Sequence, residues 1–454
     1  MRNSRSLDLT FYFSFGRLCS ETCFIYNTIC QGDLPKLKNV GNGKKVMEQT
    51  VGTENGINQS NKIPVALLIT ELAPGGAEKA FVHLALGLDK TRFQPTVFLL
   101  SGRRQDQENS MAPVLRSHGV ETVELGMKSV FDLPRVLTKL YGELKRRRPL
   151  LIQSFMFHAN LIGRFAAKFA GVPLVCSGIR VAERDSKIRL LVDYATRRFC
   201  DSWICVGESV AEFTRTVGRI QSNRVFSIPN GVQVCESAGK TQVVTAGFGA
   251  VKFKEDRSNL TPPTPFGRRK RLIAVGRLAQ QKGLDWLLAN MRNWLDSEDA
   301  KEWELWVVGD GEERENLTHI CRSLGLEDDV YFAGWRSDAS ELIAESEIFL
   351  LPSRWEGMPN ALLEAAALGK PVLCADVEGV AEILGNSAKE QICPWGDVQQ
   401  WSEKARKLMS DDMLRNDLGH RNQERVLAEF TVERATQKYE RLWLQLLAEK
   451  NALL

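Results

Sequence analysis

No apolar stretch in this chain reaches the ~18 residues that a helix needs to cross a bilayer, so the sequence offers no spanning segment of that kind. Its ten cysteines include no Cys-x-x-Cys pair, which removes the usual signatures of a zinc site or a thioredoxin-type redox centre. Cys176, Cys205 and Cys374 stand in apolar runs and read as small buried residues of a reducing compartment. No Asp-x-Asp triplet occurs, which argues against an acidic metal-binding motif of that form. Neither sign of charge dominates: 60 basic and 56 acidic residues leave a net charge of +4. That is short of the basic excess of a nucleic-acid binder, and no nucleic-acid partner is expected. The basic run Lys145-Arg146-Arg147-Arg148 reads first as a solvated helix end, where cations complement the helix dipole.

What remains is an ordinary globular composition. Apolar residues make up 43% and charged residues 26% of 454 residues, enough for two or three domains with full cores. Leu7–Cys30 mixes aromatic residues with Asp8, Arg17 and Glu21 and lacks the apolar centre and cleavage site of a signal peptide. Gly32–Lys62 is rich in Gly, Asn, Lys and Gln and reads as disordered. Residues 1–62 are therefore expected to be a disordered or dispensable extension, with the part before Met47 a product of start-site assignment.

From Ile63 the pattern turns regular. Short apolar runs (Val65–Ile69, Thr96–Leu100, Val120–Leu125, Leu150–Phe155, Leu174–Ser177, Trp203–Val206 and Val225–Ile228) are spaced by helix-length segments. Continuous apolar strands alternating with helices predict a parallel sheet covered on both faces. Gly- and Pro-rich residues 236–269 read as a linker with an insertion. Strands then resume at Leu272–Val275, Leu305–Val308, Val330–Phe332, Ile348–Leu351 and Val372–Cys374, with helices at Gly283–Leu295 and Ala361–Leu368. The expected architecture is α/β, with one Rossmann-like domain over 63–235 and a second over 270–430. A final helix within 431–454 is expected to pack back on the first domain. Two such halves leave a cleft between the carboxyl ends of their sheets, where ligands bind in folds of this kind.

The candidate chemistry lies on the loops that face that cleft. Gly75 and Gly76 follow the first strand and open a helix, so backbone N–H groups can approach an anion there. Arg277 and Lys282 flank a turn after a later strand and can converge on a diphosphate, where fixed cations can stand in for a metal. The segment from Leu351 to Val372 is the most informative. Glu356 lies in its loop and Glu364 inside its helix, with seven residues between them. Gly357, Met358, Pro359, Asn360 and Ala361 form the turn into that helix, whose free amides suit a sugar hydroxyl or phosphate. Glu364 stands in an Ala/Leu stretch where a carboxylate needs a partner, and a helical Glu near a strand end can accept both hydroxyls of a ribose. Gly309-Asp310-Gly311-Glu312 resembles a phosphate loop but has Arg at 314 in place of the third glycine. His158, taken alone, reads as a structural histidine.

These pieces, in this order, resemble family-4 retaining glycosyltransferases with the GT-B fold. The resemblance runs from about residue 63 to 445. It rests on Gly75-Gly76-Ala77-Glu78, Pro229-Asn230-Gly231-Val232, Gly276-Arg277-Leu278 with Gln281-Lys282-Gly283, Val308 to Glu312, Phe332-Ala333-Gly334-Trp335 and the Glu356/Glu364 segment. It implies two Rossmann-like domains facing a central cleft and a nucleotide-diphosphate sugar as donor, foremost a UDP-sugar, with no metal or other cofactor. It further implies that Gly75 and Gly76 face the donor phosphates, that Arg277 and Lys282 bind the diphosphate, and that Gly334, Trp335 and Arg336 hold the base. Glu364 would take the ribose; Glu356, with the amides near Met358 and Asn360, would hold the transferred sugar; His158 would lie beside the reacting carbon. The Gly-Gly-Ala-Glu form is similar to members that build bacterial surface polysaccharide or glycolipid on lipid-linked acceptors. That implies a cytoplasmic enzyme resting on the inner face of the plasma membrane. A non-catalytic nucleotide-sugar-binding protein and a nucleotide-sugar epimerase of the same fold stand as alternatives.

Overall fold

The computed structural model describes residues 62–101, 110–182, 184, 186–237, 240–243, 269–295 and 302–452. All but residue 62 of the expected extension over 1–62, and most of the 236–269 linker, lie outside these residues.

The apolar runs form two parallel sheets. The first contains β1 (Ile63–Ile69), β2 (Phe93–Ser101), β3 (Glu121–Met127), β4 (Leu151–Phe155), β5 (Leu174–Ile179), β6 (Ser202–Cys205) and β7 (Val225–Ser227), in the order β3-β2-β1-β4-β5-β6-β7. Every pairing is parallel, with Val65 opposite Pro95 on one side and Leu151 on the other. The strands are apolar on both faces because helices cover both. Leu67 and Val97 point into one core with Phe81 and Trp443, while Leu68 and Phe98 point into another with Leu140 and Ile162.

After β7 the chain forms a small antiparallel hairpin, β8 (Val234–Ser237) with β9 (Lys240–Val243). The hairpin falls at the start of the segment read as a linker with an insertion. Short polar strands such as Lys-Thr-Gln-Val carry little apolar alternation to announce them. The second sheet is made by β10 (Lys270–Val275), β11 (Trp303–Val308), β12 (Val330–Gly334), β13 (Ile348–Leu351), β14 (Val372–Ala375) and β15 (Ile392–Cys393), in the order β12-β11-β10-β13-β14-β15. The expected helix at Gly283–Leu295 is broken. Gly283 takes a left-handed φ of 64°, and separate helices follow at Leu284–Asn290 and Arg292–Leu295. A Cβ on Gly283 would fall 2.0 Å from the Pro352 carbonyl oxygen, so close backbone approach adds to the demand for glycine.

The chain crosses between the halves twice, and the crossings touch. Val232 N–H donates to Phe430 O at 2.8 Å, and Val432 N–H donates to Val232 O at 3.2 Å. The final helix, Val432–Ala452, then returns to the first sheet. Tyr439, Leu442, Trp443 and Leu447 join Phe93 and Phe155 in its core. The Trp443 indole N–H reaches Gln153 Oε1 at 3.4 Å, and its ring meets Phe93 edge-on at 6.1 Å.

In both sheets the strand order reverses between neighbouring central strands, at β1/β4 and at β10/β13. Loops leaving the carboxyl ends at these points diverge and open a crevice.

Candidate active site

All four loops that leave those central strands carry candidate residues. Gly75 and Gly76 follow β1, His158 follows β4, Arg277 and Lys282 follow β10, and Glu356 to Ala361 follow β13.

The helix after β1 (Gly76–Gly87) and the helix after β13 (Asn360–Ala367) meet amino end to amino end. Asn360 Nδ2 donates to Gly76 O at 2.8 Å, and Asn230 Nδ2 donates to Asn360 Oδ1 at 2.7 Å. Arg180 in turn donates to Asn230 Oδ1. The relay fixes the orientation of both amides and joins the two halves across the cleft. Two helix amino ends brought together repel through their dipoles, and an anion between them relieves that repulsion. Behind them the halves pack tightly. A Cβ on Gly357 would lie 1.9 Å from Arg180 O and 3.2 Å from Val206 Cγ1. Glu382, from the second half, accepts from the Glu208 and Ser209 amides at 2.8 and 2.9 Å and so caps the first-half helix Glu208–Thr216.

Lys282 and Glu356 come together. Lys282 Nζ lies 2.5 Å from Glu356 Oε1, which also accepts from Ser353 Oγ at 2.7 Å. Glu356 is 6% exposed and Ser353 is fully buried. The lysine stem runs across Gly276, where a Cβ would meet Cε at 3.3 Å. Arg354 grips Asp285 with two bonds of 2.7 and 2.8 Å and fixes the loop that carries Glu356. Arg277 behaves differently. It is exposed, its side chain makes no hydrogen bond or contact ion pair with a described residue, and its charge is felt across the cleft by Glu78.

Glu364 is paired across the cleft: Lys79 Nζ lies 3.3 Å from its Oε1. Beside Lys79, the Glu78 carboxylate folds back over the turn, where Oε2 would sit 2.2 Å from a Cβ on Gly75. Burial pushes the Glu78 carboxyl above its usual range, and Glu71 adds to this, while Arg180 and Arg277 pull the other way. Arg180 is itself desolvated and stacks on Phe155 at 4.8 Å.

His158 sits in the first turn of the helix Phe157–Ala170 and packs edge-on against Phe157 at 5.5 Å. Burial lowers its proton affinity and the nearby Arg189 charge lowers it further, so the imidazole is neutral at neutral pH. The residue that follows β4, Met156, has φ 74° and ψ 157°. Such a backbone costs a non-glycine residue ~1–3 kcal/mol and persists where its surroundings fix it, most often at a functional site.

Gly334 ends β12 with φ 71°, and its carbonyl accepts from Gly309 N at 2.8 Å. Trp335 follows, and Arg336 is held by Asp338 through bonds of 2.7 and 2.5 Å. The Gly309–Gly311 turn lies on backbone: a Cβ on Gly309 would fall 1.9 Å from Gly276 O, and one on Gly311 2.4 Å from Leu278 O. It braces the loop that carries Arg277. In the basic run, Arg146 and Arg147 are paired with Glu143 and Glu121, while Lys145 and Arg148 form no contact ion pair with a described residue. No helix among the described residues is long and apolar enough to cross a membrane.

Reasoning from sequence missed Lys79, Arg180 and Glu382 and gave Glu78 no role of its own. Arg180 left one usable signal, a charged residue directly at the carboxyl end of an apolar strand.

Comparison with known proteins agrees with the two-domain fold. Residues 74–234 match the model of Glycosyltransferase Family 4, and residues 269–411 match a model described as Glycosyl transferases group 1. The chain is 27% identical over 385 residues to the lipopolysaccharide core biosynthesis glycosyltransferase LpsE of Rhizobium meliloti, covering 83% of this chain and 96% of that one. It is 23% identical over 355 residues to the UDP-Gal:alpha-D-GlcNAc-diphosphoundecaprenol alpha-1,3-galactosyltransferase of Escherichia coli, covering 74% and 85%. Among solved structures it is similar in fold to Anabaena HepE in complex with UDP-glucose, with a TM-score of 0.69 at 19% identity over 86% of this chain and all of that one. Sucrose-phosphate synthase from Thermosynechococcus elongatus gives 0.68 at 19% identity, again over 86% of this chain and all of that one.

Proposed function

The chain belongs to the family-4 glycosyltransferases of the GT-B fold, and from that premise we propose that it transfers a sugar from a UDP-sugar to a lipid-linked saccharide in surface-polysaccharide or glycolipid synthesis, with retention of configuration and without a metal. The observation that carries the reading is the arrival of Gly75–Gly76, His158, Arg277–Lys282 and Glu356–Ala361 at the two switch points of facing sheets.

In this reading the diphosphate lies between the abutting helix amino ends, with Arg277 and Lys282 supplying the charge that a metal would otherwise supply. Gly334, Trp335 and Arg336 border the base, and Glu364 takes the ribose. Glu356 accepts sugar hydroxyls while Lys282, already against it, reaches the leaving phosphate. The bond from the anomeric carbon to the diphosphate oxygen breaks, and the diphosphate oxygen accepts the proton of the acceptor hydroxyl. That hydroxyl forms its bond on the same face. The neutral His158 adds no positive charge beside an oxocarbenium-like carbon. The E. coli relative, named for a diphosphoundecaprenol-linked substrate, supports a lipid-linked acceptor. Lys145 and Arg148 offer charge to an anionic membrane face, worth about 1 kcal/mol per cation near the surface.

The test is nucleotide release. Wild-type protein is expected to release UDP from a UDP-sugar in the presence of undecaprenyl-diphosphate-linked sugar and EDTA, and Arg277→Ala to lower the rate about 10²-fold or more. Full turnover by Arg277→Ala, or no turnover by the wild type with any UDP-, GDP- or ADP-sugar, refutes the reading.

A further inference from the structure

Lys79 and Glu364 form an ion pair of unusual placement. The residues are 285 apart in sequence and come from opposite halves, yet Nζ stands 3.3 Å from Oε1. The glutamate side chain is 12% exposed and the lysine 31%. Glu364 Oε2 makes no hydrogen bond to a described residue. Each partner lies one turn inside its helix. The Lys79 amide donates to Gly75 O at 2.9 Å, and Glu364 is four residues past Asn360, whose side chain bonds Gly76. The pair thus sits one helical turn, ~5.4 Å, behind the meeting point of the two amino ends. That is within the reach of a lysine side chain from any anion seated there.

The same arrangement occurs within the second half, where Lys282 holds Glu356. In both pairs an ammonium holds a carboxylate aligned. A nucleotide sugar carries hydroxyls for the carboxylates and phosphates for the ammoniums, so its binding exchanges partners and leaves no buried charge bare.

We propose that Lys79 is a donor-positioning residue, a third cation for the diphosphate supplied by the first domain and held by Glu364 until ribose hydroxyls take that carboxylate. The proposal rests on the donor reading above. It makes the first domain's grip on the nucleotide depend on the diphosphate and not on the nucleoside, because a nucleoside alone displaces Lys79 without offering it a new partner.

The experiment measures affinity by calorimetry. UDP, GDP and ADP are titrated into wild-type protein, and the diphosphate that binds is carried forward with its parent nucleoside. Both are then titrated into Lys79→Met, Lys79→Arg and the surface control Lys90→Met. The expected result is that Lys79→Met weakens the diphosphate about tenfold or more, while the nucleoside binds as well as before or better. Lys79→Arg and Lys90→Met keep the preference for the diphosphate. Equal loss for diphosphate and nucleoside in Lys79→Met would mean that the pair merely holds the halves together, and overturns the proposal; so does unchanged binding of both. A wild type that binds none of the three diphosphates overturns the donor reading itself, and this inference with it.

Discussion

Replacing Lys282 by alanine removes the ammonium 2.5 Å from Glu356 and leaves a carboxylate of 6% exposure with the Ser353 hydroxyl at 2.7 Å. Leaving one member of a buried pair uncompensated costs ~3–5 kcal/mol. Lys282 keeps 23% of its side chain in solvent, so water enters where it leaves and the cost falls to about 2–3 kcal/mol. At roughly 2–4 °C per kcal/mol for a domain of this size, the melting transition of the second domain drops by about 4–12 °C. Adding Glu356→Gln removes the orphaned charge, so the double variant should regain most of that loss. Transfer should not return: single and double variants alike should turn over about 10²-fold more slowly, because the leaving diphosphate has lost its cation. Circular dichroism melts and nucleotide release on the same samples read both quantities. A double variant that melts no higher than the single one refutes the argument from uncompensated charge. A double variant that recovers turnover refutes direct action of Lys282 on the diphosphate.

Two further outcomes follow from the contacts between the halves. Gly357→Ala places a Cβ 1.9 Å from Arg180 O; overpacking of ~1–3 kcal/mol should spread the halves, enlarge the radius of gyration in solution scattering and weaken nucleotide binding about tenfold. Unchanged affinity and radius would mean that this contact does not govern closure. His83 is held down to about 4 from 6.5, mainly by burial and then by the Lys79 charge, against a bond to the Gly231 backbone. The unfolded chain therefore binds the proton first as pH falls, and stability is lost between pH 6.5 and 4, by on the order of 3 kcal/mol. Urea midpoints at pH 7 and 4.5 should differ markedly less in His83→Gln; an unaltered difference assigns the acid sensitivity to other groups.

Much of the fold was legible because parallel strands covered on both faces must be apolar throughout, and runs such as Val65–Ile69 and Leu305–Val308 have few other readings. The two-residue strand Ile392–Cys393 and the β8–β9 hairpin were not, since they are too short to leave a pattern. The demand for glycine at 283 escaped because the Pro352 carbonyl that crowds it lies far along the chain. The site divides the same way. Lys282 and Glu356 could be named from motifs that each fit within a loop. Lys79 was not singled out, since nothing local marks a partner 285 residues away.

The placement of Tyr439 and Trp443 against Phe93 and Phe155 has a consequence for biosynthesis. During translation β1 to β7 emerge first, but the face of that sheet where Phe81 and Leu84 pack lacks part of its cover until the final helix arrives. The half that is made first is finished last. A ribosome stalled after the second domain would leave Phe93 and its apolar neighbours open to water or to a chaperone, and a nascent chain shortened by this one helix would damage the domain farthest from it in sequence.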